Sequence, residues 1–247
     1  MRLNRYLASA GVCSRRAADE LIQTGHVTVN GTAVTELGVR VTPGADTVRV
    51  DGVKVEPERK VYVLFNKPKG VLCTTAGDEP RKRVIDYLPH VRGRIYTVGR
   101  LDAESEGLIL LTNDGEFALR MMHPRYGMPK TYAVTVKGTI DQAALGKARG
   151  GVWLAEGRTG GMEIRIDSRE RERTRLRVTL REGRNRELRR VFARLGHDVV
   201  ALKRIRIGEL TLHGLQPGES RFLAQHEVRG LLELAQSTAA PVQEDGG

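Results

Sequence analysis

Residues 94–116 read R-I-Y-T-V-G-R-L-D-A-E-S-E-G-L-I-L-L-T-N-D-G-E. The apolar residues before Gly99 predict an extended segment, and the apolar run at residues 108–111 has the length of a buried strand. Between the two lies a polar loop that carries Arg100 and Asp102. Functional side chains often occupy loops that rigid elements hold at both ends. We therefore expect the chain to be organised around this loop.

The loop is part of a pattern longer than one arginine and one aspartate. Alone, such a pair near a turn is more often a surface ion pair than a reactive site. Here Gly99-Arg100-Leu101-Asp102 is followed by Ser105, by Gly107-Leu108 and by an apolar run that ends in T-N-D-G. This pattern resembles the signature loop of the pseudouridine synthases, and more narrowly of their RsuA/RluB-type branch, which modifies ribosomal RNA. Ser105 stands where that branch usually has threonine, so a hydroxyl is retained.

Composition favours a polyanionic partner. The net charge is +11 over 247 residues and comes mostly from arginine, whose planar guanidinium suits phosphate recognition. Two cysteines, Cys13 and Cys73, lie too far apart for a C-x-x-C unit and are too few for a metal cage or a disulfide framework. The sequence has no secretory signal and no apolar run of about 18 residues. We expect a cytoplasmic monomer that does not associate with membranes.

The first 50 residues predict a small module of their own. Apolar residues at helical spacing predict a first helix that ends at Gly11, and Ser14 can cap a second helix that ends at Gly25. Asn30-Gly31, between two short β-branched runs, is a preferred pair for a type I′ hairpin. The charged, turn-rich residues 51–60 predict a linker to a second domain.

The module also carries a basic face. Residues 2–31 read R-L-N-R-Y-L-A-S-A-G-V-C-S-R-R-A-A-D-E-L-I-Q-T-G-H-V-T-V-N-G, a run that resembles the S4 RNA-binding domain almost end to end. From charge alone, a solvated basic face without a partner is equally compatible. The resemblance implies that structured RNA is contacted by Arg2, Arg5, Arg15 and Arg16.

Residues 61–235 predict a second, catalytic domain. A buried strand at residues 61–65 stops at the basic turn N-K-P-K-G, which contains Lys67, and similar openings occur in the pseudouridine synthases. Residues 130–136 read K-T-Y-A-V-T-V and alternate as a strand. A tyrosine in such a strand is most often core packing. In the family, a tyrosine at this position lies against the target base, and this is the role that the resemblance implies for Tyr132.

A third pattern lies between Arg165 and Arg190, where 11 arginines stand against 5 acidic residues. Residues 180–192 read L-R-E-G-R-N-R-E-L-R-R-V-F and predict a turn that leads into a helix, and a basic strand follows at residues 202–208. The run resembles the family's third signature, whose arginine pairs with the catalytic aspartate. That arginine is Arg189 in this chain. Further RNA contacts are expected from Lys67, Arg184, Arg186 and Lys203.

The resemblance implies the isomerisation of uridine to pseudouridine, a reaction without redox change or external donor. One ionised carboxylate can carry it, so Asp102 would act either as a nucleophile at the sugar C1′ or as a base at C2′. Arg189 would favour the charged carboxylate, Tyr132 would stack on the uracil, and Arg100 would hold the flipped nucleotide. No cofactor is required, and the six scattered histidines lack metal-ligand spacing, so we expect no metal.

The sequence therefore predicts an α+β protein. A small S4-like α/β RNA-binding module at residues 1–50 precedes a pseudouridine synthase domain at 61–235, built on a largely antiparallel sheet with flanking helices. Residues 236–247 predict a disordered tail. We expect the substrate to be ribosomal RNA, naked or in a pre-ribosomal particle. The K-T-Y strand and the turn at residues 180–190 more closely resemble the large-subunit enzymes of the branch, and this resemblance favours 23S over 16S rRNA. A non-catalytic RNA-binding or ribosome-assembly factor is the main rival, and a metal-dependent RNA-cleaving enzyme is a more distant one.

Overall fold

The computed structural model describes residues 1–75 and 80–239, which divide into two compact units. The first unit comprises Met1–Val61 together with Val91–Ile95 and Asn113–Gly115. The second unit contains the other described residues from Tyr62 onward. No helix in the described ranges is long and apolar enough to cross a membrane.

Two short helices open the first unit, α1 (Leu3–Ser9) and α2 (Arg15–Gln23). The Ser14 hydroxyl caps α2, because it accepts a hydrogen bond of 3.1 Å from the Ala17 N–H. The apolar stripes of the two helices are buried in one shared core, as their helical spacing predicts. The predicted helix pair and its cap are confirmed.

The strands of the first unit are β1 (Val27–Val29), β2 (Thr32–Ala33), β3 (Val48–Val50) and β4 (Val53–Val55). They form one sheet in the order β2-β1-β3-β4. Asn30 and Gly31 join β1 to β2 with φ values of 52° and 85°. A type I′ turn requires positive φ at both of these positions. The predicted hairpin is confirmed.

Residues 51–60 belong to the first unit and are not a linker. β4 pairs with β3, with Val55 opposite Val48. The Tyr6 hydroxyl donates to the Val55 carbonyl at 3.1 Å, and the Glu58 N–H donates to the Ser9 carbonyl at 2.8 Å. The expectation of a linker is therefore corrected. Asp51 and Gly52 join β3 to β4 with φ values of 47° and 80°, so this Asp-Gly pair is a hairpin turn, and pairing across it makes Val53–Val55 a strand.

The second unit alternates strands and helices along the chain. Its strands are β5 (Tyr62–Lys67), β6 (Tyr96–Val98), β7 (Glu106–Thr112), β8 (Lys130–Lys137), β9 (Trp153–Leu154), β10 (Gly157–Arg158), β11 (Glu163–Arg169), β12 (Arg173–Leu180), β13 (Val199–Ile207), β14 (Leu210–Thr211) and β15 (Ser220–Phe222). Its helices are α3 (Gly115–Met122), α4 (Gln142–Gly150), α5 (Glu187–Arg194) and α6 (Gln225–Ser237), with short 3₁₀ turns at Val84–Tyr87 and Pro124–Tyr126.

Most of these strands assemble into one sheet. Its order is β11-β12-β8-β13-β7-β5-β15, with β14 attached to β13 and β6 attached to β7. Neighbouring strands run antiparallel except β13 and β7, which run parallel. β9 and β10 form a separate hairpin around Trp153. The predicted α+β class with a largely antiparallel sheet is confirmed.

Two hydrophobic clusters hold the helices against this sheet. Helices α4 and α5 pack onto one face of β8, β11 and β12, where Val136, Leu176 and Phe192 are buried. Helices α3 and α6 pack around β7, whose Leu108 and Leu110 belong to the second cluster. All four residues of the run 108–111 are buried, so this run is the predicted buried strand.

The C-terminal prediction needs a correction. Helix α6 runs to Ser237, so Gln236 and Ser237 are helical and do not begin a disordered tail. Leu231 and Ala235 are buried against the second cluster, which gives the last turns of the helix a packing partner. Residues 240–247 of the predicted tail lie outside the described residues.

Candidate active site

The loop at residues 99–105, between β6 and β7, holds Asp102 in a defined position. A hydrogen bond of 3.0 Å from the Ser105 N–H to the Asp102 carbonyl closes a turn. After this turn, the start of β7 requires a glycine at position 107. Gly107 has a φ of +102°, and an added Cβ would lie 2.2 Å from the Arg204 carbonyl oxygen. Any side chain there would push β7 away from β13. The Asp102 side chain is left 26% exposed, open to a ligand.

Lys67 lies beneath this loop and is shielded from solvent. It is fully buried, and its ammonium donates to the Pro68 carbonyl at 2.9 Å and to the Ala103 carbonyl at 3.3 Å. Burial lowers the pKa of Lys67, while Cys73 and nearby carboxylates oppose the shift. The expectation of an RNA contact from Lys67 is corrected. Because β5 continues through this residue, its side chain turns inward and tethers the loop of Asp102.

Two arginines from one turn face the Asp102 carboxylate. Arg186 Nη1 lies 3.4 Å from Asp102 Oδ2, and Arg189 Nε lies 3.9 Å from the same oxygen. Arg189 is the more firmly held, because its Nη1 also donates to the Val199 carbonyl at 3.0 Å. The expected partner Arg189 is thus at the outer limit of an ion pair. Arg186, expected to contact RNA, is the nearer of the two.

Helix α5 produces this arrangement. Leu188, Val191 and Phe192 bury its inner face, which leaves Arg189 beside the helix core and close to β13. Arg186 directly precedes the helix with a φ of 47°, a left-handed conformation that is unfavourable for a residue with a Cβ. Such strain persists where the surrounding structure enforces it. Here it directs the Arg186 side chain toward the loop of Asp102.

Tyr132 projects from β8 and contacts a buried arginine. Arg204 Nη1 lies 3.5 Å from the Tyr132 hydroxyl, and the guanidinium carbon lies 5.9 Å from the ring centre. Arg204 is 3% exposed, and its Nε donates to the Leu108 carbonyl at 2.6 Å. The sequence predicts only a basic strand at this position. Burial by the neighbouring strands makes Arg204 a residue that holds the Tyr132 ring in place.

A cleft brings these groups together. Its lining includes Arg100, Asp102, Ser105, Tyr132, Arg186 and Glu187. The cleft opens to solvent, and the space inside it, open solvent included, amounts to ≈ 420 Å³. The Ser105 hydroxyl is buried, and no other group in the described ranges accepts or donates a hydrogen bond to it. Asp102, Tyr132 and Arg100 thus share one site, while the roles expected of them stay predictions.

Glu187 is a member of the cleft that the sequence did not predict. It is 3% exposed, and its Oε2 accepts a hydrogen bond of 2.9 Å from the Arg184 N–H. Burial, reinforced by the Glu182 carboxyl and opposed by that N–H, raises the pKa of Glu187 to about 7. Burial also lowers the pKa of nearby Lys130 to about 8. The sequence signal was weak, because an acidic residue in the first turn of a helix is ordinary.

Replacing Glu187 with glutamine is expected to stabilise the fold at alkaline pH and to change little at acid pH. The ordinary pKa of the Glu187 carboxyl is 4.5, and its pKa in the folded protein is about 7. As the pH rises, the carboxyl therefore loses its proton at a lower pH in the unfolded chain than in the folded protein. Below pH 4.5 the carboxyl is protonated in both the folded and the unfolded protein, so its burial costs no free energy of ionisation. Above about pH 7 the folded protein must ionise a buried carboxyl, at a cost of about 3 kcal/mol that glutamine does not carry.

Urea unfolding of both proteins at about pH 4.5 and about pH 8 measures this difference. The amide oxygen can still accept from the Arg184 N–H, as the acid does. Glu163→Gln is the matched control, because the Glu163 side chain is 75% exposed. A difference between wild type and Glu187→Gln that does not vary with pH would contradict a buried, protonated Glu187.

The predicted RNA contacts differ in their availability. On the first unit, four of the predicted contacts have exposed side chains: Arg2, Arg5, Arg15 and Arg16. Lys203 on β13 is partly exposed. The Arg184 guanidinium instead donates to the Glu182 carboxylate and to the Gly157 and Arg158 carbonyls. These bonds hold Arg184 against the β9–β10 hairpin, its side chain stays 26% exposed, and the RNA contact expected from it stays a prediction.

The chemistry available in the cleft follows from its groups. A partly exposed carboxylate can act as a nucleophile or as a base. Guanidinium groups bind phosphate, and an aromatic ring offers a stacking surface to a base. Together they suit a reaction on a nucleotide that has left its base stack.

Comparisons with known proteins place the chain among its relatives. Residues 61–194 match the RNA pseudouridylate synthase family, and residues 1–46 match the S4 domain. The chain is 47% identical over 236 residues to the ribosomal large subunit pseudouridine synthase B of Bacillus subtilis, covering 95% of this chain and 96% of that protein. It is 44% identical over 235 residues to an uncharacterized RNA pseudouridine synthase of Aquifex aeolicus, covering 94% of each. A crystal structure of a pseudouridylate synthase matches with a TM-score of 0.67 and 28% identity, over 94% of this chain and 99% of that one.

The matched segment contains the cleft residues named above. Asp102, Tyr132 and Arg189 all lie within residues 61–194. The relatives match along nearly the whole chain, so the likeness extends beyond the signature loops. The chain belongs to the RNA pseudouridylate synthase family and carries an S4 domain at its N-terminus.

Proposed function

We propose that this protein isomerises specific uridines of large-subunit ribosomal RNA to pseudouridine. The observation that carries the proposal is the cleft in which Asp102, beside Arg186 and Arg189, opens next to the Tyr132 ring. Membership of the family supports the reaction. The 47% identical relative, whose name specifies the large ribosomal subunit, supports the choice of RNA.

Asp102 performs the first chemical step. The bond between N1 of the uracil and C1′ of the sugar breaks, the uracil turns, and its C5 bonds to C1′ while the C5 proton is released and N1 is protonated. The carboxylate begins this sequence either as a nucleophile at C1′ or as a base at C2′. Arg186 and Arg189 compensate its negative charge through charge-assisted contacts. No oxidant, reductant or external donor enters, because product and substrate are isomers.

Tyr132 and Arg100 position the nucleotide. A base stacked in a helix cannot reach Asp102, so the target uridine must flip out, at a cost of about a few kcal/mol. The Tyr132 ring, held by Arg204, serves as a platform for the detached uracil. Arg100 is exposed on the same loop, where its guanidinium can bind a phosphate of the flipped nucleotide.

Chemical mapping of pseudouridine in ribosomal RNA, from cells with and without this protein, tests the proposal. We expect one or a few large-subunit positions to lose the modification and to regain it with the wild-type protein. The Asp102→Asn variant should not restore them. Loss of a small-subunit position alone would shift the substrate to 16S rRNA. Unchanged modification together with a ribosome-assembly defect would favour the non-catalytic alternative.

Arg15 and Arg16 are expected to contribute to the salt dependence of RNA binding. Each phosphate contact adds about 0.7–0.9 to the slope of log K against log salt, so Arg15→Ala/Arg16→Ala should reduce that slope by about 1.4–1.8. Filter binding to large-subunit ribosomal RNA between about 50 and 200 mM salt measures it. Both side chains are exposed, so the unfolding midpoint should not change. An unreduced slope would mean that this face of the S4 domain does not engage the RNA.

A further inference from the structure

The large sheet has a face that takes no part in the cleft. Side chains alternate along β8, so Tyr132 and Val134 point toward α4 and α5 while Ala133 and Thr135 point the other way. Along β12, the buried Leu176 and its apolar neighbours alternate with exposed arginines. We call this reverse side of the sheet, with its cations, the basic sheet face. The cations are Lys137, Arg165, Arg173, Arg175, Arg177 and Lys203.

The strand register arranges part of this face as a row. Arg165 on β11 lies opposite Arg177 on β12. Across the next two strands, the row continues through Ala133 on β8 to Lys203 on β13. Three gaps between strands separate the ends of the row, a span of about 14 Å. Ala133 in the middle is small, so the row is a shallow depression with a cation at each side.

Like charges lie directly opposite one another in this face. Arg165 faces Arg177, and Arg173 faces Lys137. Pairs of like charge across two strands destabilise a sheet. An anion bound across the strands would relieve this repulsion, which indicates a surface suited to a ligand with regularly spaced negative charges.

Acidic side chains compensate only part of this charge. Asp167 contacts Arg177 at 3.4 Å, and Glu170 contacts Arg175 at 3.0 Å and Arg173 at 3.4 Å. Within the described ranges, no carboxylate lies within 4.0 Å of a charged nitrogen of the other three cations, Lys137, Arg165 and Lys203. The face therefore keeps a net positive charge.

We propose that the basic sheet face binds the phosphate backbone of a second segment of the substrate RNA, apart from the segment that enters the cleft. The inference rests on the proposed RNA substrate. Phosphates along a nucleic acid strand supply the repeated negative charge that the row requires, and exposed guanidinium groups bind them through paired N–H donors. The sheet itself separates this face from Tyr132, so one short stem-loop in the cleft cannot occupy both. β11 ends the sheet, and a longer RNA reaches the reverse side around that strand.

Arg165→Gln/Arg177→Gln tests the proposal in the full-length protein. We expect the slope of log K against log salt, for full-length large-subunit ribosomal RNA, to fall by about 1.4–1.8, with affinity at about 0.1 M salt lowered roughly tenfold or more. A stem-loop of about 20 nucleotides around the mapped uridine should bind wild type and variant equally, because it fills only the cleft. The single-turnover rate at saturating enzyme should not change. Folding should not suffer, since the change removes a repulsive pair.

Two controls separate charge from structure and position. Arg165→Lys/Arg177→Lys keeps both charges and should retain most of the salt slope. Lys147→Gln/Arg194→Gln removes two exposed charges from α4 and α5, which pack on the opposite side of the sheet, and should keep the wild-type slope. Both controls should unfold at the wild-type midpoint.

The outcomes also separate this inference from the proposed function. An unchanged slope in Arg165→Gln/Arg177→Gln would overturn the inference, and so would an equal loss of affinity for the short stem-loop. If wild-type protein forms no pseudouridine in any ribosomal RNA, the proposed function fails. In that case the salt slope on full-length RNA still tests whether the basic sheet face binds RNA, because a binding measurement requires no turnover.

Discussion

Asp102→Asn is expected to abolish pseudouridine formation, with a loss of at least about 10³-fold in the single-turnover rate on large-subunit ribosomal RNA. The amide has no negative charge with which to attack C1′ or to remove a proton from C2′. Stability and RNA affinity should change little. The carboxylate is partly exposed and lies 3.4 and 3.9 Å from its arginine partners, and exposed ion pairs contribute about 0–1 kcal/mol.

Glu104 provides the matched control for this variant. It lies two residues from Asp102 in the same loop and pairs with Lys69 at 3.3 Å on the surface. Glu104→Gln removes the same charge at an exposed position and should keep wild-type turnover. If Asp102→Asn retains activity, or if both variants lose it equally, Asp102 is not the group that performs the reaction.

The second large effect is expected at Tyr132. Tyr132→Ala should slow turnover by roughly 10- to 100-fold, because stacking of a base on an aromatic ring contributes about 1–3 kcal/mol. The ring is also 8% exposed and packs in the cluster with Val134 and Leu180. Its truncation should therefore lower the free energy of unfolding by about 3–5 kcal/mol. Denaturant unfolding and single-turnover rates, measured on the folded fraction, report the two effects separately.

Tyr132→Phe and Val134→Ala resolve which effect dominates. Phenylalanine keeps the ring and loses only the contact of 3.5 Å with Arg204, so stability should change by no more than about 1 kcal/mol and turnover should remain close to wild type. Val134 lies on the same face of β8 and is buried. Val134→Ala should destabilise the fold without slowing the folded fraction. If Tyr132→Ala behaves in the same way, the tyrosine is a packing residue only.

Features with a local physical cause could be predicted from the residues themselves. Asn30-Gly31 adopts the positive φ values that its hairpin needs, and Ser14 caps α2 through its own hydroxyl. The apolar run at 108–111 becomes a buried strand. In each case the residues that carry the signal lie within a few positions of the structure they determine.

Two errors occurred where a distant partner decides the structure, and one where a local signal was overlooked. Residues 51–60 resemble a linker in composition, yet Asp51-Gly52 is a hairpin turn through which Val53 and Val55 pair with β3. The end of α6 is held by packing onto β7 and α3. Lys67 belongs to a basic turn in the sequence, but its backbone continues β5 and buries its side chain. No window of neighbouring residues contains the contacts of Lys67 or of the end of α6.

The sequence by itself determined the fold class, the two-part organisation and the loop that carries Asp102. Strand periodicity, turn residues and signature motifs are properties of short stretches of sequence, so they can be recognised without the fold. Only the tertiary structure decided which side chains meet there. Arg186 lies nearer to Asp102 than Arg189 does, and Arg204 lies against Tyr132, 72 residues away in the chain. Burial, charge compensation and strand register depend on contacts between residues far apart in sequence. These contacts form only when the sheet assembles.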